Sequence, residues 1–166
     1  MSDLVCTACE ATYASTDLVW RCNCGATLDL RYEAKLDLEA IRSGPTSMWR
    51  YGKAIPIDRG HVVSYDEGLT PLTQARVGGH TVWIKQENLF PTGSFKDRGA
   101  SVLISKAREL DVRRVVEDSS GNAGAAVAAY AARAEIDCDI YVPESTSPAK
   151  LTQIQMYGAT LHRVPG

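Results

Sequence analysis

Helix-like and strand-like segments alternate through residues 100–164, and this alternation limits the fold more than any other feature of the chain. Four apolar residues recur at helical spacing and predict a helix with one core-facing stripe: Leu103, Ile104, Ala107 and Leu110. Further helices are predicted at 122–134 and 148–157, and strands at 112–117, 136–142 and 159–164. This order predicts the α/β class: an open parallel sheet with right-handed crossovers and helices on both faces.

Length and composition exclude several classes of protein. The 166 residues suffice for one ordinary domain with a small appendage, and 45% hydrophobic with 23% charged residues is typical of a folded globular chain. The net charge of −2 includes no dense basic block, which argues against nucleic acid as a partner. No apolar run could span a membrane and no leader pattern opens the chain, so we expect a cytoplasmic protein.

Four of the five cysteines cluster near the start of the chain: Cys6, Cys9, Cys22 and Cys24. In a reducing cytoplasm, paired thiolates at this spacing favour a tetrahedral zinc site over disulfides. Four thiolates leave no open coordination position, so the zinc is expected to be structural. The alternative is a group of buried or redox-active thiols without metal. The fifth cysteine, Cys138, lies in a predicted strand and is expected to be an ordinary core thiol.

Three regions are predicted along the chain. Residues 1–33 form a zinc-ribbon-like β hairpin, with Tyr13, Leu18, Val19 and Trp20 as its β-prone residues and Gly25 at a turn. Residues 34–66 are an irregular linker with one short helix at 38–43. Residues 67–166 are the α/β region, which opens with a hairpin around Gly78 and Gly79.

Lys96 opens the first helix of the α/β region, where the helix dipole disfavours an ammonium group. A lysine that loses its proton readily is suited to attack an aldehyde and form a Schiff base. The structural alternative is a surface lysine paired with Asp97.

The segment Asp118-Ser119-Ser120-Gly121-Asn122-Ala123-Gly124 stands before the alanine-rich helix. Hydroxyls and consecutive backbone N–H groups at a helix start predict a site for a carboxylate or phosphate. The structural alternative is a plain N-cap formed by Ser120 or Asn122.

These segments, taken together, resemble one family. The central segment runs from Glu87-Asn88-Leu89-Phe90 through Gly99 and contains Pro91-Thr92-Gly93-Ser94-Phe95-Lys96-Asp97-Arg98. It is preceded by Gly68-Leu69-Thr70-Pro71-Leu72 and followed by Ser119-Ser120-Gly121-Asn122. The pattern resembles fold-type II pyridoxal-phosphate enzymes of the tryptophan synthase beta-like family, most closely the threonine synthases, some of which also have a cysteine-rich start.

The resemblance implies roles for individual residues. Lys96 would hold pyridoxal 5'-phosphate as a Schiff base and then move protons between substrate carbons. Asn122 would contact the pyridine 3-hydroxyl oxygen, and Phe95 would pack near the ring. The amino-acid carboxylate would be gripped by the loop residues Ser119, Ser120, Gly121 and Ala123, while Thr92 and Ser94 shape the pocket. The implied reaction converts O-phosphohomoserine and water to threonine and phosphate.

Two features that the family keeps in the later half of its chain are not found in this sequence: a glycine-rich loop for the cofactor phosphate and a polar partner for the pyridine nitrogen. We therefore expect an amino-terminal part that needs a complementary carboxy-terminal half or a homodimer, with an exposed apolar edge. Two alternatives stay open. One is a threonine or serine dehydratase or β-replacement enzyme, because Ser120 stands where threonine synthases often have threonine. The other is a non-catalytic zinc-bearing binding fragment.

Overall fold

The computed structural model of the chain describes residues 2–165. Internal contacts divide the chain into two compact units, one formed by Met1–Gly44 and Arg50–Pro56 and the other by Pro45–Trp49 and Ile57–Gly166. Among the described residues no helix is both long enough and apolar enough to cross a membrane. The division into regions 1–33, 34–66 and 67–166 stays a prediction.

The first unit contains a small antiparallel sheet. Its strands are β1 (Ser2–Cys6), β2 (Thr12–Ala14) and β3 (Leu28–Tyr32), and β1 lies between the other two. The short helix α1 (Leu38–Ser43) follows the sheet and is capped by Asp37, whose carboxylate accepts from the Ala40 N–H at 3.0 Å. The predicted helix at 38–43 is confirmed.

The β-prone run Leu18-Val19-Trp20 is not part of a strand, which corrects the prediction for the hairpin. The structure pairs β2, which contains Tyr13, with β1, while Leu18 and Trp20 are 74% and 77% exposed in the connection to β3. The partner strand β1 pairs Leu4 with Tyr13 on one side and with Leu30 on the other. Tertiary pairing rather than local propensity therefore decided which residues became strands.

The second unit opens with the antiparallel hairpin β4 (Leu72–Val77) and β5 (His80–Lys85), as predicted. The helices are α2 (Lys96–Glu109), α3 (Asn122–Arg133) and α4 (Pro148–Met156). The remaining strands are β6 (Arg114–Glu117), β7 (Asp137–Pro143) and β8 (Thr160–Val164), which form a parallel sheet in the order β6-β7-β8. Three 3-10 turns lie at Met48–Ala54, Arg59–His61 and Glu87–Leu89. The predicted α/β class is confirmed.

The alanine-rich helix α3 lies at the centre of the core of this unit. Residues from Gly124 to Ala131 are all buried, and α3 contacts α2, α4, β6 and β7. Small side chains allow this close approach on several sides, while Tyr130, Ile104 and Ile140 fill the larger spaces. The core also contains Cys138, at 9% exposure, as expected.

The buried stripe of α2 differs from the predicted one. Ile104 and Ala107 are buried, but Leu103 is 52% exposed and two serines are fully buried. Ser101 donates to the Val63 carbonyl at 2.7 Å, and Ser105 donates to the Ser101 carbonyl at 2.6 Å. Ser105 also accepts from the Val63 N–H at 2.8 Å, so each of the two serines bonds the distant Val63, and an apolar repeat cannot reveal such a stripe.

One face of the parallel sheet packs on the core through Cys138, Ile140 and Val142. On the other face Val116 is 63% exposed and Tyr141 39% exposed. Within residues 2–165, helices are thus seen against one face, and helices on both faces stay a prediction.

Candidate functional site

Lys96 is the first residue of α2, as the sequence predicts, and the loop before it is held by a buried carboxylate. Asp97 is fully buried and accepts from the Thr92 N–H at 2.9 Å and from the Thr92 hydroxyl. Burial raises the pKa of Asp97. The ion pairs found among residues 2–165 do not include Lys96, so the structural alternative of a Lys96–Asp97 pair is wrong.

The side chain of Lys96 lines a cavity of about 280 Å³ at the carboxyl end of β6. The lining residues are Lys96, Gly99, Ala100, Leu103, Glu117, Ala123 and Val127. Glu117 is the last residue of β6, and its pKa is raised by burial and by the neighbouring Asp118, while the charge of Lys96 opposes this effect. The topology therefore brings the starts of α2 and α3 and the end of β6 to one place, where parallel α/β sheets bind ligands.

The loop before α3 leaves backbone donors free at the helix start. The N-cap residue is Gly121 and no side chain caps the helix, so the alternative of a cap formed by Ser120 or Asn122 is wrong. Ser119 instead accepts from the Gly121 N–H at 3.3 Å. A Cβ on Gly124 would collide with the Ser119 carbonyl oxygen, so the glycine lets the loop lie against the helix. Uncapped N–H groups at a helix start favour an anion.

Some of the predicted site residues line the cavity or lie beside it, and others lie only in the adjoining loop. Ala123 lines the same cavity as Lys96, and Asn122 begins α3 directly before it. Ser119, Ser120 and Gly121 form the connecting loop but do not line the cavity. Phe95 is 58% exposed, with its ring centroid 5.2 Å from the Lys96 Nζ.

The two predicted pocket-shaping residues are buried within the loop that precedes Lys96. Thr92 bonds Asp97, and the Ser94 hydroxyl accepts from the Lys96 N–H at 3.2 Å. The sequence gives no sign that Gln153 of α4 also holds this loop, through a 2.9 Å bond from its Nε2 to the Thr92 carbonyl. That contact joins residues 61 positions apart and only the folded chain reveals it.

Glu87 joins two of the segments that carry the family resemblance. Arg98 of α2 donates to both carboxylate oxygens of Glu87, at 2.8 and 2.9 Å, and the Thr70 hydroxyl donates at 2.6 Å. Arg98 is the main cause that lowers the pKa of Glu87 to about 2. All three residues belong to the segments that carry the resemblance, but the sequence does not predict that their side chains bond one another.

Glu67 is a buried carboxylate that the sequence did not single out. It is 1% exposed and lies directly before the Gly68-Leu69-Thr70-Pro71-Leu72 segment. Hydrogen bonds reach it from the Trp49 indole at 3.0 Å and from the Tyr130 hydroxyl at 2.8 Å. This bond and burial raise the pKa of Tyr130, with burial the larger cause.

The four clustered cysteines meet in space. Their Sγ atoms lie within 4.8 Å of one another, with 3.5 Å between Cys6 and Cys24 and between Cys9 and Cys22. The N–H groups of Ala8 and Cys9 both point at the Cys6 Sγ from 3.4 Å. The arrangement is one that a tetrahedral metal ion requires.

Further polar contacts support the cysteine cluster. The Tyr13 hydroxyl donates to the Cys22 Sγ at 3.2 Å, and this bond is the main cause that lowers the pKa of Cys22 to about 6. Gly25 has a positive φ of 89° in the turn after Cys24, as predicted. The Tyr13 bond therefore favours the thiolate form of Cys22, which is the form that binds metals, whereas the pKa of Cys9 is raised to about 12 in the absence of a metal.

A parallel sheet with a lysine and an uncapped helix start at its carboxyl edge defines a ligand-binding α/β protein. The family model of pyridoxal-phosphate dependent enzymes matches residues 63–166. The chain belongs to the pyridoxal-phosphate dependent enzyme family, and membership implies pyridoxal phosphate as the cofactor.

Individual proteins support the same assignment. The chain is 36% identical to the threonine synthase of Methanocaldococcus jannaschii in an alignment of 173 positions, gaps included, which covers 97% of this chain and 43% of the relative. A serine racemase from Dictyostelium discoideum superposes with a TM-score of 0.53 at 36% identity, over 58% of this chain and 33% of that one. An O-ureido-L-serine synthase superposes with a TM-score of 0.55 at 29% identity, over 58% and 33%. The chain thus spans less than half the length of the curated relative, and the predicted resemblance to threonine synthases is confirmed.

Proposed function

We propose that this chain provides the lysine half of a threonine synthase-like active site, which converts O-phosphohomoserine and water to threonine and phosphate. The observation that carries the proposal is the cavity that Lys96 shares with Ala123 at the start of α3. Identity to threonine synthases along nearly the whole chain favours this reaction over others in the family.

The residues around the cavity fit the cofactor. Lys96, which forms no ion pair within residues 2–165, faces a cavity of about 280 Å³, near the lower end of the range for small-ligand sites, which begins at about 300 Å³. Gly99, Ala100 and Ala123 add only small side chains or none to its walls. When bound, pyridoxal phosphate withdraws electrons from the substrate carbon next to its amino group.

The chain's own residues would divide the remaining work. Lys96 would hold the cofactor and then carry protons between substrate carbons. Asn122 would bond the 3-hydroxyl oxygen, and the exposed Phe95 would pack near the ring. The loop Ser119-Ser120-Gly121, with Ala123 at the start of α3, would hold the substrate carboxylate.

The test is borohydride reduction of the purified chain with pyridoxal phosphate, followed by peptide mapping. We expect the label at Lys96 in the wild-type chain and its loss in Lys96→Ala. Lys35→Ala is the matched control, because the Lys35 side chain is 71% exposed and should react only as a surface amine. A label spread evenly over surface lysines in the wild-type chain contradicts the proposal and favours a non-catalytic binding fragment.

A second candidate function is a dehydratase or β-replacement activity on serine-like substrates. The similarity to a serine racemase and to an O-ureido-L-serine synthase favours it. Two assays of the chain joined to its complementary half separate the candidates. A threonine synthase-like enzyme should release phosphate from O-phosphohomoserine, whereas the second candidate should consume serine.

We also propose that Cys6, Cys9, Cys22 and Cys24 bind one structural zinc ion. Zinc–sulfur bonds of about 2.3 Å in a tetrahedron place sulfurs roughly 3.8 Å apart, and two of the sulfur pairs lie at 3.5 Å in this structure. Because the four ligands hold β1, the turn after it and the Cys22–Cys24 turn, metal binding would stabilise this small sheet.

Metal analysis of the purified chain tests the zinc proposal. We expect one zinc per chain, lost in Cys22→Ser and retained in Cys138→Ser, whose thiol lies in the core of the other unit. A wild-type chain that stays free of zinc and cobalt when refolded with either metal would show that the thiols are structural or redox-active instead.

A further inference from the structure

Glu67 is held by four neutral donor groups that come from three separate places in the fold. The Ser64 hydroxyl donates at 3.1 Å and the Tyr65 N–H at 2.9 Å, both from the loop just before it. The Trp49 indole and the Tyr130 hydroxyl supply the other two bonds, at 3.0 and 2.8 Å. A buried carboxylate with this many hydrogen bonds is fixed in position, since each lost donor would leave charge unsolvated.

The two long-range donors connect Glu67 to the two helices that begin at the cavity. Tyr130 lies on α3, which starts at Asn122. The Trp49 indole N–H is shared between Glu67 and the Ser101 hydroxyl of α2, which lies 2.9 Å away. Glu67 is therefore bonded directly to one helix and through one indole to the other.

The backbone next to Glu67 is also constrained. Its carbonyl accepts from the Met48 N–H at 2.7 Å. Gly68 has a φ of 139°, and a Cβ there would collide with the Met48 nitrogen. Glycine alone permits this close approach. The backbone at Glu67 and Gly68 is therefore held against Met48, and this contact limits where the Glu67 carboxylate can lie.

We propose that Glu67 is a positioning residue that sets the relative placement of the starts of α2 and α3, and hence of Lys96 and the 119–122 loop. The functional consequence rests on the proposed role of Lys96. The placement itself is a property of the protein without cofactor, and it is tested separately.

The primary test is hydrogen exchange, read by mass spectrometry on the full chain without cofactor. Glu67→Gln keeps the shape of the side chain but removes the charge, and Tyr130→Phe removes a single hydroxyl. In both variants we expect exchange at least about tenfold faster at the first hydrogen-bonded amides of both α2 and α3, which follow the free N–H groups of each helix start, because a bond to a charged group is lost. If Glu67→Gln fails to fold, Tyr130→Phe still carries the test.

Ser105→Ala is the matched control. Ser105 is fully buried on α2 and accepts from the Val63 N–H at 2.8 Å, but it has no bond to α3. Its loss should speed exchange in α2 alone. Exchange in Glu67→Gln that rises only in the 64–67 loop, only in α2 as in Ser105→Ala, or equally across the whole unit would overturn the proposal.

The second readout is the share of borohydride-trapped pyridoxal phosphate found on Lys96 relative to exposed lysines. It should fall several-fold in Glu67→Gln and Tyr130→Phe and stay unchanged in Ser105→Ala. If the wild-type chain labels Lys96 and Glu67→Gln labels it equally, Glu67 has no positioning role. If the wild-type chain does not label Lys96, the proposed function fails, and hydrogen exchange alone decides the role of Glu67.

Discussion

The side chain of Glu87 is 22% exposed and accepts hydrogen bonds from Arg98 and Thr70, while Lys85 lies 3.5 Å from it. These contacts join the segment before Lys96 to the first turn of α2. The charge on Glu87 is therefore part of what holds the lysine loop, and its protonation should weaken that loop.

The stability that Glu87 contributes should depend on pH. The pKa of Glu87 is lowered to about 2 in the folded chain, chiefly by Arg98, against about 4.3 for an unfolded glutamate. The contribution is therefore fully present above the unfolded pKa and is lost as pH falls through the folded one.

Glu87→Gln should lower the free energy of unfolding by about 1–3 kcal/mol at neutral pH. The difference from the wild-type chain should shrink below about pH 4. Urea unfolding of both proteins across this pH range measures it, and a difference independent of pH would show that the carboxylate charge contributes nothing.

At the scale of elements, the loop before α3 depends on the glycine in the first turn of that helix. Gly124 is buried, and any side chain there meets the Ser119 carbonyl oxygen. The loop and the helix start therefore pack closely against each other. No side chain caps the N–H groups at the start of α3.

Gly124→Ala should destabilise the chain by about 1–3 kcal/mol, because the added methyl forces the loop away from the helix. Gly99→Ala is the control, since Gly99 lies in α2 with open space around it. There the same change should be neutral or stabilise the chain by up to about 1 kcal/mol. Equal effects of the two substitutions in urea unfolding would rule out the packing argument.

For the whole molecule, the β4–β5 hairpin of the second unit exposes apolar side chains on both of its faces. Leu72 and Trp83 are 59% and 63% exposed and lie on one face, while Val77 and Ile84 are 59% and 42% exposed on the other. A two-stranded hairpin is marginally stable alone, and apolar side chains on both faces favour a partner.

We expect the chain to self-associate in the absence of a complementary half. Trp83→Lys should shift it towards monomer in sedimentation or light-scattering measurements. Trp20→Lys changes an equally exposed tryptophan, 77% accessible in the first unit, and should leave association unchanged. A wild-type chain that stays monomeric, or one that both substitutions disperse equally, would refute the role of the hairpin.

The sequence by itself determined the order of elements in the second unit. The composition and periodicity of α3, α4, β7 and β8 predict their positions within one or two residues, because the apolar pattern of each segment already indicates what it buries. The starts of α2 and α3 at Lys96 and Asn122 were likewise predicted from local chemistry. The short spacing of Cys6, Cys9, Cys22 and Cys24 likewise predicted that their thiols lie close together.

Only the tertiary structure decided which side chains hold these pieces together. Glu67 meets Tyr130 across 63 residues, and Trp49 meets Ser101 across 52. It also decided that Leu18–Trp20 stay outside the small sheet and that Asp97 turns inward to Thr92 rather than towards Lys96. Hydrogen bonds between residues distant in sequence leave no periodic signal, so the chain must fold before they can be identified.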